Sequence, residues 1–252
     1  MRRIRLNRVP PQPPARTSQF RHELKYLISY PEMRLLQERL RMFLQPDPHA
    51  EQGQYTIRSL YFDDLWGSAW ADKLAGVDQR QKYRLRIYNY QDQVVHLECK
   101  EKAEAYINKS SAALNHSELR QLLQADYSFL ARRPEPACRN FYTHHQLYQL
   151  QPAVIVDYER EPYIYPYGNV RVTFDRQVRA GAFQGDLFDV GLPVYEVLPP
   201  DQLILEVKYT AFLPEIVRSL LPIPDSAYTA ASKYTLCMER KDEIMSLQGR
   251  MS

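Results

Sequence analysis

The segment QKYRLRIYNYQDQVVHLECKEK, residues 81–102, decides the fold because polar and apolar side chains alternate along both of its halves. The charged or polar side chains at every second position are Lys82, Arg84, Arg86, His96, Glu98, Lys100 and Lys102. A period of two is the pattern of β-strands, and the short connection at residues 89–93 requires an antiparallel pair. The segment therefore predicts a hairpin with one apolar face and one densely charged face.

The same alternation recurs in at least four other segments: FRHELKYLI (20–28), VIVDYER (154–160), VRVTFD (170–175) and LILEVKY (203–209). The charged face of a sheet usually faces water. These faces, however, place Arg and Lys beside isolated carboxylates rather than among Thr, Ser and Gln. If the sheet closes into a barrel with its apolar side outward, the charges line a wet, cationic lumen and amphipathic helices cover the outside.

The remaining patterns predict an α+β fold with a mainly antiparallel sheet. Strands are expected at residues 20–28, 55–62, 82–90, 94–102, 153–160, 170–178 and 203–209. Helices are expected at residues 31–44, 117–123, 135–150 and 214–221. No GxGxxG or GxxxxGK[ST] motif is present, which argues against Rossmann and P-loop chemistry.

Composition predicts one domain, residues 20–240, between a disordered arm rich in Arg and Pro at residues 1–19 and a C-terminal tail at residues 241–252. The arm holds five arginines and no acid; removing five from the 33 Lys and Arg leaves 28 against 30 Asp and Glu. The domain is therefore not a globally basic nucleic-acid binder, and no nucleic-acid partner is expected.

Cysteine and histidine usage indicates structural roles in a reducing compartment. The three cysteines have no CxxC spacing, and the six histidines include no HExxH motif. The sequence shows no signal peptide and no stretch long and apolar enough to span a membrane. A cytoplasmic location is expected.

A cationic tunnel selects a polyanion, because closely spaced Arg and Lys repel one another unless an anion lies among them. The scattered glutamates then suit a hard divalent metal that bridges anionic oxygens. Triphosphate or polyphosphate is the expected ligand.

Eight motifs in chain order resemble the VTC polyphosphate polymerase domain of the triphosphate tunnel metalloenzyme, or CYTH-like, superfamily. They are RHELKY (21–26), SLYFDD (59–64), KYRLRIY (82–88), HLECKEK (96–102), YERE (158–161), VRVTFD (170–175), LEVKY (205–209) and SKY (232–234). The resemblance covers residues 20–240. It implies an eight-stranded antiparallel β-barrel tunnel with helices packed on the outside.

The resemblance also implies an activity and its residues. The implied enzyme transfers the γ-phosphoryl group of ATP to a polyphosphate chain with Mn²⁺ or Mg²⁺. The phosphate-binding residues would be Lys25, Arg84, Arg86, Lys100, Lys109, Arg160, Arg171, Lys208 and Lys233. The catalytic set would be Lys25, Arg84, Arg86, Lys100 and Glu206, and the metal ligands Glu206 and Glu23.

Two departures from the family pattern bear on this assignment. The first acid of the ExExK signature is Arg21, which leaves fewer metal ligands, and Ala230 lies in the segment where eukaryotic polymerases carry an additional lysine. The sequence has no SPX-like sensor and no transmembrane segment, so a stand-alone prokaryotic module is expected, with any transport left to a membrane-protein partner. The alternatives are a triphosphatase on the same fold and a non-catalytic polyphosphate-binding module.

Overall fold

The computed structural model describes residues 21–50, 52–103, 106–183, 186–224, 227–230 and 232–249; the predicted arm, residues 1–19, lies outside them. The described strands are β1 (Arg21–Ser29), β2 (Gln45–Pro46), β3 (Tyr55–Asp63), β4 (Arg80–Tyr88), β5 (Gln91–Ala103), β6 (Tyr106–Ala113), β7 (Gln151–Tyr165), β8 (Val170–Gly181), β9 (Val194–Glu196) and β10 (Gln202–Thr210). The described α-helices are α1 (Tyr30–Arg41), α2 (Ser68–Leu74), α3 (His116–Leu123), α4 (Pro136–Tyr148), α5 (Glu215–Leu220) and α6 (Lys233–Gly249). The predicted α+β class is confirmed.

Eight of these strands form one continuous antiparallel sheet in the order β1-β10-β8-β7-β3-β4-β5-β6, and the short strands β2 and β9 pair with β7 and β8. The predicted barrel needs one correction, since no pairing joins the end strands β1 and β6 among the described residues. The sheet is nevertheless strongly curled. Lys100 on β5 lies 3.3 Å from Glu23 on β1, although six strand spacings would separate these strands by about 29 Å in a flat sheet.

The hairpin predicted from residues 81–102 is confirmed as β4 and β5, with a tighter turn than expected. Tyr88 pairs with Gln91, so the turn consists of Asn89 and Tyr90 alone. Both have positive φ, 49° and 57°, as in the two-residue turns that match the twist of a hairpin. The Asn89 side chain also accepts a hydrogen bond from the backbone N–H of Thr56 at 2.9 Å, which ties the turn to β3.

The apolar face of the sheet is covered by four helices and is the outer face. Leu85 and Leu97 pack there beneath α3 and α4, while Leu205 and Val207 pack beneath α1 and α5. Helix α1 starts at a capping box, in which Ser29 accepts from the backbone N–H of Glu32 and the Glu32 carboxylate accepts in return. The amphipathic helices therefore take the position that the sequence predicted.

The opposite, inner face is charged along part of its length and apolar along the rest. Tyr234, Cys237 and Met238 of α6 pack against its apolar part, which includes Val156 and Ile204. Helix α6 was not predicted; it includes residues 241–249, which were expected to belong to a C-terminal tail. The inner face is thus filled by α6 at one part and left to charged side chains at the other.

No helix in the described part of the chain has the length and apolarity needed to cross a membrane.

Candidate functional site

The period-two alternation of the strands places the charged side chains on the inner face. Strand register brings Lys25 opposite Glu206, and Arg84 opposite Glu98. The neighbours of these residues along each strand, such as Leu85 and Val207, are buried under the outer helices. The charged side chains of residues 81–102 therefore point inward, away from the outer helices.

The first group of inner-face charges is centred on Glu98 of β5. Arg84 approaches its carboxylate from β4, with Nε at 2.7 Å, and Lys109 from β6, with Nζ at 2.5 Å. Arg86 lies farther away, at 3.9 Å, and donates to the hydroxyl of Ser59 at 3.2 Å. Burial would raise the pKa of Glu98, but Arg84, Arg86 and Lys109 outweigh it and hold the pKa far below its usual value. Glu98 is therefore ionised and ties three cations together.

The second group is centred on the carboxylates of Asp175 and Glu206. Arg160 donates to both oxygens of Asp175 at 2.6 and 2.7 Å and to Glu206 at 3.1 Å. Lys208 lies 3.0 Å from Glu206, and Lys233 of α6 lies 2.5 Å from Asp175. Helix α6 thus contributes a cation to a site otherwise built by strands.

Burial and neighbouring charges act in opposite directions on this second group. Burial alone would raise the pKa of Glu206, but Lys208 and Lys233 outweigh it and hold the pKa well below its usual value. Burial lowers the pKa of Lys208 to about 8, although Glu206 acts against this. Both carboxylates of the group are therefore ionised, and Lys208 is close to titrating at neutral pH.

Glu23 connects the two ends of the curled sheet. Its carboxylate lies 2.9 Å from Lys25 on its own strand and 3.3 Å from Lys100 on β5. Arg171 lies at the side of the second group, where it donates to Asp47 at 2.6 Å and to the hydroxyl of Tyr55 at 2.7 Å. The structure thus brings all nine predicted phosphate-binding cations to one face, seven of them near the two groups and Lys25 and Lys100 between them.

Two tyrosine rings lie beneath these cations, and a third ring contacts one of the two. Arg84 lies 5.7 Å from the ring centre of Tyr61, and Lys233 lies 5.0 Å from that of Tyr158. The Tyr61 ring in turn contacts that of Tyr234, with 4.9 Å between the ring centres. Ring faces attract cations without neutralising their charge. The rings therefore hold the cations in place and leave their charge available to an anion.

Sequence reasoning missed three contributors to this face. Glu98 and Asp175 were seen in phase with their neighbours but were given no role, and Lys82 was left out of the phosphate-binding set. Alternation placed all three on the correct face. It did not show which residues on neighbouring strands they oppose, since that depends on register.

A further buried ion cluster lies on the outer face and belongs to the scaffold. Arg58 of β3 donates to Asp157 at 2.8 Å and to the carbonyl oxygens of Leu187 and Asp189 at 3.1 and 2.6 Å. Arg58 is 2% exposed and Asp157 is fully buried, so no ligand from solvent reaches the pair. This cluster anchors the loop that precedes β9.

The two predicted metal ligands lie together. Glu23 is opposite Lys208, which lies 3.0 Å from Glu206, and the hydroxyl of Thr173, opposite Glu206, is buried without a partner among the described residues. No group of three His, Cys, Asp or Glu in the described ranges could hold a metal ion unaided. Mg²⁺ and similar ions are commonly held by one or two carboxylates plus substrate phosphates. The oxygen donors present therefore fit a divalent ion that binds together with a triphosphate.

Comparison with known proteins identifies a family and a fold. The model of the VTC domain family matches residues 20–240. No curated protein matches the chain. A "putative adenylate cyclase" from Vibrio parahaemolyticus superposes with a TM-score of 0.51 at 8% identity, over 87% of this chain and 98% of that one. The PH1819 protein of Pyrococcus horikoshii OT3 superposes with a TM-score of 0.47 at 13% identity, over 88% of this chain and 99% of that one. The likeness to the Vibrio protein concerns the fold alone.

Proposed function

The chain belongs to the VTC domain family, and we propose that it is a metal-dependent polyphosphate polymerase. It transfers the γ-phosphoryl group of ATP to the end of a polyphosphate chain held on the inner face of the sheet. ATP and polyphosphate are its partners, and it works in the cytoplasm. Any movement of the product across a membrane belongs to a separate membrane protein.

The observation that carries the proposal is the charge imbalance of the inner face. Among the described residues, the nine cations there are accompanied by five partner carboxylates, which are Glu23, Asp47, Glu98, Asp175 and Glu206. The side chains of Lys100 and Lys208 stay partly open to solvent, with 43% and 38% of their surface exposed. A polyanion that enters this face replaces repulsion between cations with charge-assisted hydrogen bonds.

The proposed reaction needs positioning and charge neutralisation rather than a covalent enzyme intermediate. A terminal oxygen of the acceptor chain attacks the γ-phosphorus of ATP, and the bond to the β,γ-bridging oxygen breaks to release ADP. Arg84, Arg86 and Lys109 hold one set of phosphates, while Arg160 and Lys208 hold another, so that acceptor and donor lie in line. The acceptor oxygen is already ionised near neutral pH and requires no general base.

Glu206 and Glu23 would hold the divalent ion together with the phosphates, and Thr173 offers a further oxygen. When bound, the ion offsets negative charge on the transferred group. The same residues would also serve hydrolysis, in which water replaces the acceptor chain.

Product analysis tests the proposal. Purified protein is incubated with ATP and Mn²⁺, polyphosphate is resolved on gels, and ADP and free phosphate are assayed. The proposal expects polyphosphate and ADP from wild type, a large loss in Arg86→Gln, and wild-type activity in Arg39→Gln, which removes an exposed cation from α1. ADP with an equal amount of free phosphate and no polymer would instead identify a triphosphatase. No turnover, with polyphosphate still bound, would identify a binding module.

A further inference from the structure

A row of lysines crosses three neighbouring strands on the inner face. Lys82 of β4 is directly opposite Lys100 of β5, which is directly opposite Lys109 of β6. Like charges in directly opposed positions of a sheet repel one another. Lys109 has Glu98 as its partner and Lys100 has Glu23. Lys82 has no carboxylate partner among the described residues, and its ammonium group lies 4.3 Å from the ring centre of Tyr234.

The next pair of opposed residues on the inner face of β4 and β5 is also cationic. Arg80 is opposite Lys102, and Arg80 donates to the carbonyl oxygen of Val77 at 2.8 Å. Among the described residues, the ion-pair partner of Lys102 is Asp78, which is 71% exposed and 3.8 Å away. An ion pair that is this long and exposed stabilises little and leaves most of the positive charge uncompensated.

Burial and repulsion act together on Lys82. Burial lowers the pKa of Lys82 to about 7, and four neighbouring cations add to the effect. The groups that face it are Lys73 of α2, Arg80 of its own strand, Lys25 of β1, Lys100 of β5, and Tyr234 of α6, whose hydroxyl donates to Asp63 of β3. Holding a lysine here is unfavourable in the free protein, and an anion among these cations would remove the repulsion.

We infer that Lys73, Arg80, Lys82, Lys100 and Lys102 form a separate subsite, the Lys82 subsite, which binds phosphates of a polyphosphate chain that carry no metal ion. The inference rests on the proposed function and adds to it a division between two parts of the inner face. The part around Glu206 and Glu23 has carboxylates for a metal and takes the metal-bound nucleotide. In the Lys82 subsite, Lys73, Arg80 and Lys82 have no carboxylate partner among the described residues, and this part takes the acceptor chain.

The assignment of nucleotide and acceptor chain to two parts of the inner face follows from charge alone. A carboxylate beside a phosphate repels it unless a cation lies between them, so a carboxylate-rich position suits phosphates that bring a metal ion. A position with cations only suits phosphates that bring none. The two positions adjoin, since Lys100, which is opposite Lys82, lies 3.3 Å from Glu23.

The first test measures binding of tripolyphosphate by calorimetry in EDTA, which needs no turnover. Lys82→Gln should weaken binding at least tenfold, and Arg80→Gln should also weaken it. Arg39→Gln, which removes the same charge from the exposed surface of α1, should bind like wild type. Melting is measured on each variant without ligand, and Lys82→Gln should melt no earlier than wild type because it relieves repulsion. If Lys82→Gln does not fold, Arg80→Gln carries the test.

A second test follows the proton that Lys82 gains when an anion binds. Calorimetry at pH 8 in two buffers of different ionisation enthalpy gives the number of protons taken up. Lys82→Arg keeps the charge but does not titrate, so it should bind within about threefold of wild type and take up fewer protons, by more than about half a proton. Equal uptake by both proteins would show that Lys82 does not meet the anion.

The outcomes separate this inference from the proposed function. Wild type that binds tripolyphosphate while Lys82→Gln and Arg80→Gln bind equally well would overturn the Lys82 subsite, whatever the activity. Wild type that makes no polymer, with binding weakened in Lys82→Gln, would overturn the polymerase and keep the subsite. Absence of tripolyphosphate binding by wild type would overturn both.

In an active enzyme, Lys82→Gln should raise the KM for the polyphosphate acceptor more than the KM for ATP, and Lys208→Gln should show the reverse.

Discussion

Arg84 and Arg86 lie two residues apart on the same face of β4, but they make different contacts. Arg84 holds the buried Glu98 at 2.7 Å, whereas Arg86 reaches it only at 3.9 Å and otherwise donates to Ser59. Burial would lower the pKa of Arg84, but Tyr61 and Glu98 outweigh it and the pKa is raised. Arg84 is therefore part of the scaffold as well as a candidate ligand for phosphate.

The two arginines should respond differently to substitution. Arg86→Gln should weaken tripolyphosphate binding by about tenfold, because it removes a charge-assisted hydrogen bond, with little change in stability. Arg84→Gln should weaken binding as well and also lower the free energy of unfolding by about 2 kcal/mol, because Glu98 loses its closest arginine. Calorimetry and urea denaturation measure the two effects. Normal binding by a destabilised Arg86→Gln would make this arginine purely structural.

Glu206 is the residue on which the metal-dependent chemistry depends. Glu206→Gln should lower Mn²⁺-dependent turnover on the order of 10²-fold and raise the Mn²⁺ concentration for half-maximal rate. Tripolyphosphate binding in EDTA should hold or tighten, because one negative charge has left the inner face. Lys208 and Arg160 lose a buried partner in Glu206→Gln, which should lower its melting temperature. The assay is therefore run below the melting temperature of the variant.

Glu98→Gln is the matched control for this prediction. It removes another buried inner-face carboxylate, one that was not assigned to the metal. It should lower stability and leave the Mn²⁺ dependence of the rate unchanged. An identical Mn²⁺ dependence in Glu206→Gln and wild type would rule out Glu206 as a metal ligand.

Among single elements, β3 places structural side chains on one face and site-facing side chains on the other, by alternation alone. Arg58 and Ser59 are adjacent, yet Arg58 points to the outer face and Ser59 to the inner one. Arg58→Met should lower the free energy of unfolding by about 3 kcal/mol, because it leaves Asp157 buried with one arginine fewer. Tripolyphosphate binding by the folded variant, measured by calorimetry at low temperature, should stay at the wild-type level. A loss of binding would mean that the two faces are not independent.

Strands and helices whose apolar side chains recur at a regular period could be predicted from the sequence, and those without such a period could not. The hairpin of β4 and β5 and the capped helix α1 follow from alternation and from Ser29, Pro31 and Glu32 at the helix start. Strand β6, YINKSSAA, lacks regular alternation, although Lys109 was assigned by resemblance. Helix α6 has its apolar side chains spread around the helix rather than in one stripe, because its first turns pack against the sheet whereas Asp242, Glu243 and Met245 are exposed.

At the scale of the whole molecule, the direction of the charged face could be predicted but the closure of the sheet could not. Alternation fixes which side chains share a face, and five such segments make an inward face plausible. Whether β1 and β6 pair depends on strand tilt and curvature, which no local pattern records. The grouping of cations around Glu98 and around Asp175 is also a property of register, which long connections such as residues 114–150 leave open.

The uncompensated charge of the inner face gives stability a distinct pH dependence. Burial and neighbouring cations lower the pKa of Lys82 to about 7 in the folded protein, against about 10.4 in the unfolded chain. Above pH 7 the unfolded chain therefore binds more protons at this residue, and stability rises with pH. The three buried cysteines have raised pKa values, so they lower stability above about pH 9.

Urea denaturation at pH 6.5, 7.5 and 8.5 measures this dependence. The free energy of unfolding should increase across this range in wild type and increase less in Lys82→Gln. Equal slopes in the two proteins would show that Lys82 is not the group responsible.

A crystal structure of the protein saturated with tripolyphosphate tests whether the inward cationic face binds a polyanion. Calorimetry on the same preparation establishes saturation. We expect the phosphates on the inner face, in contact with Arg84 and Arg86 on one side and with Arg160 and Lys208 on the other. Tripolyphosphate bound only on the outer surface, with the ion pairs of Glu98 and Glu206 unchanged and the inner face empty, would contradict it.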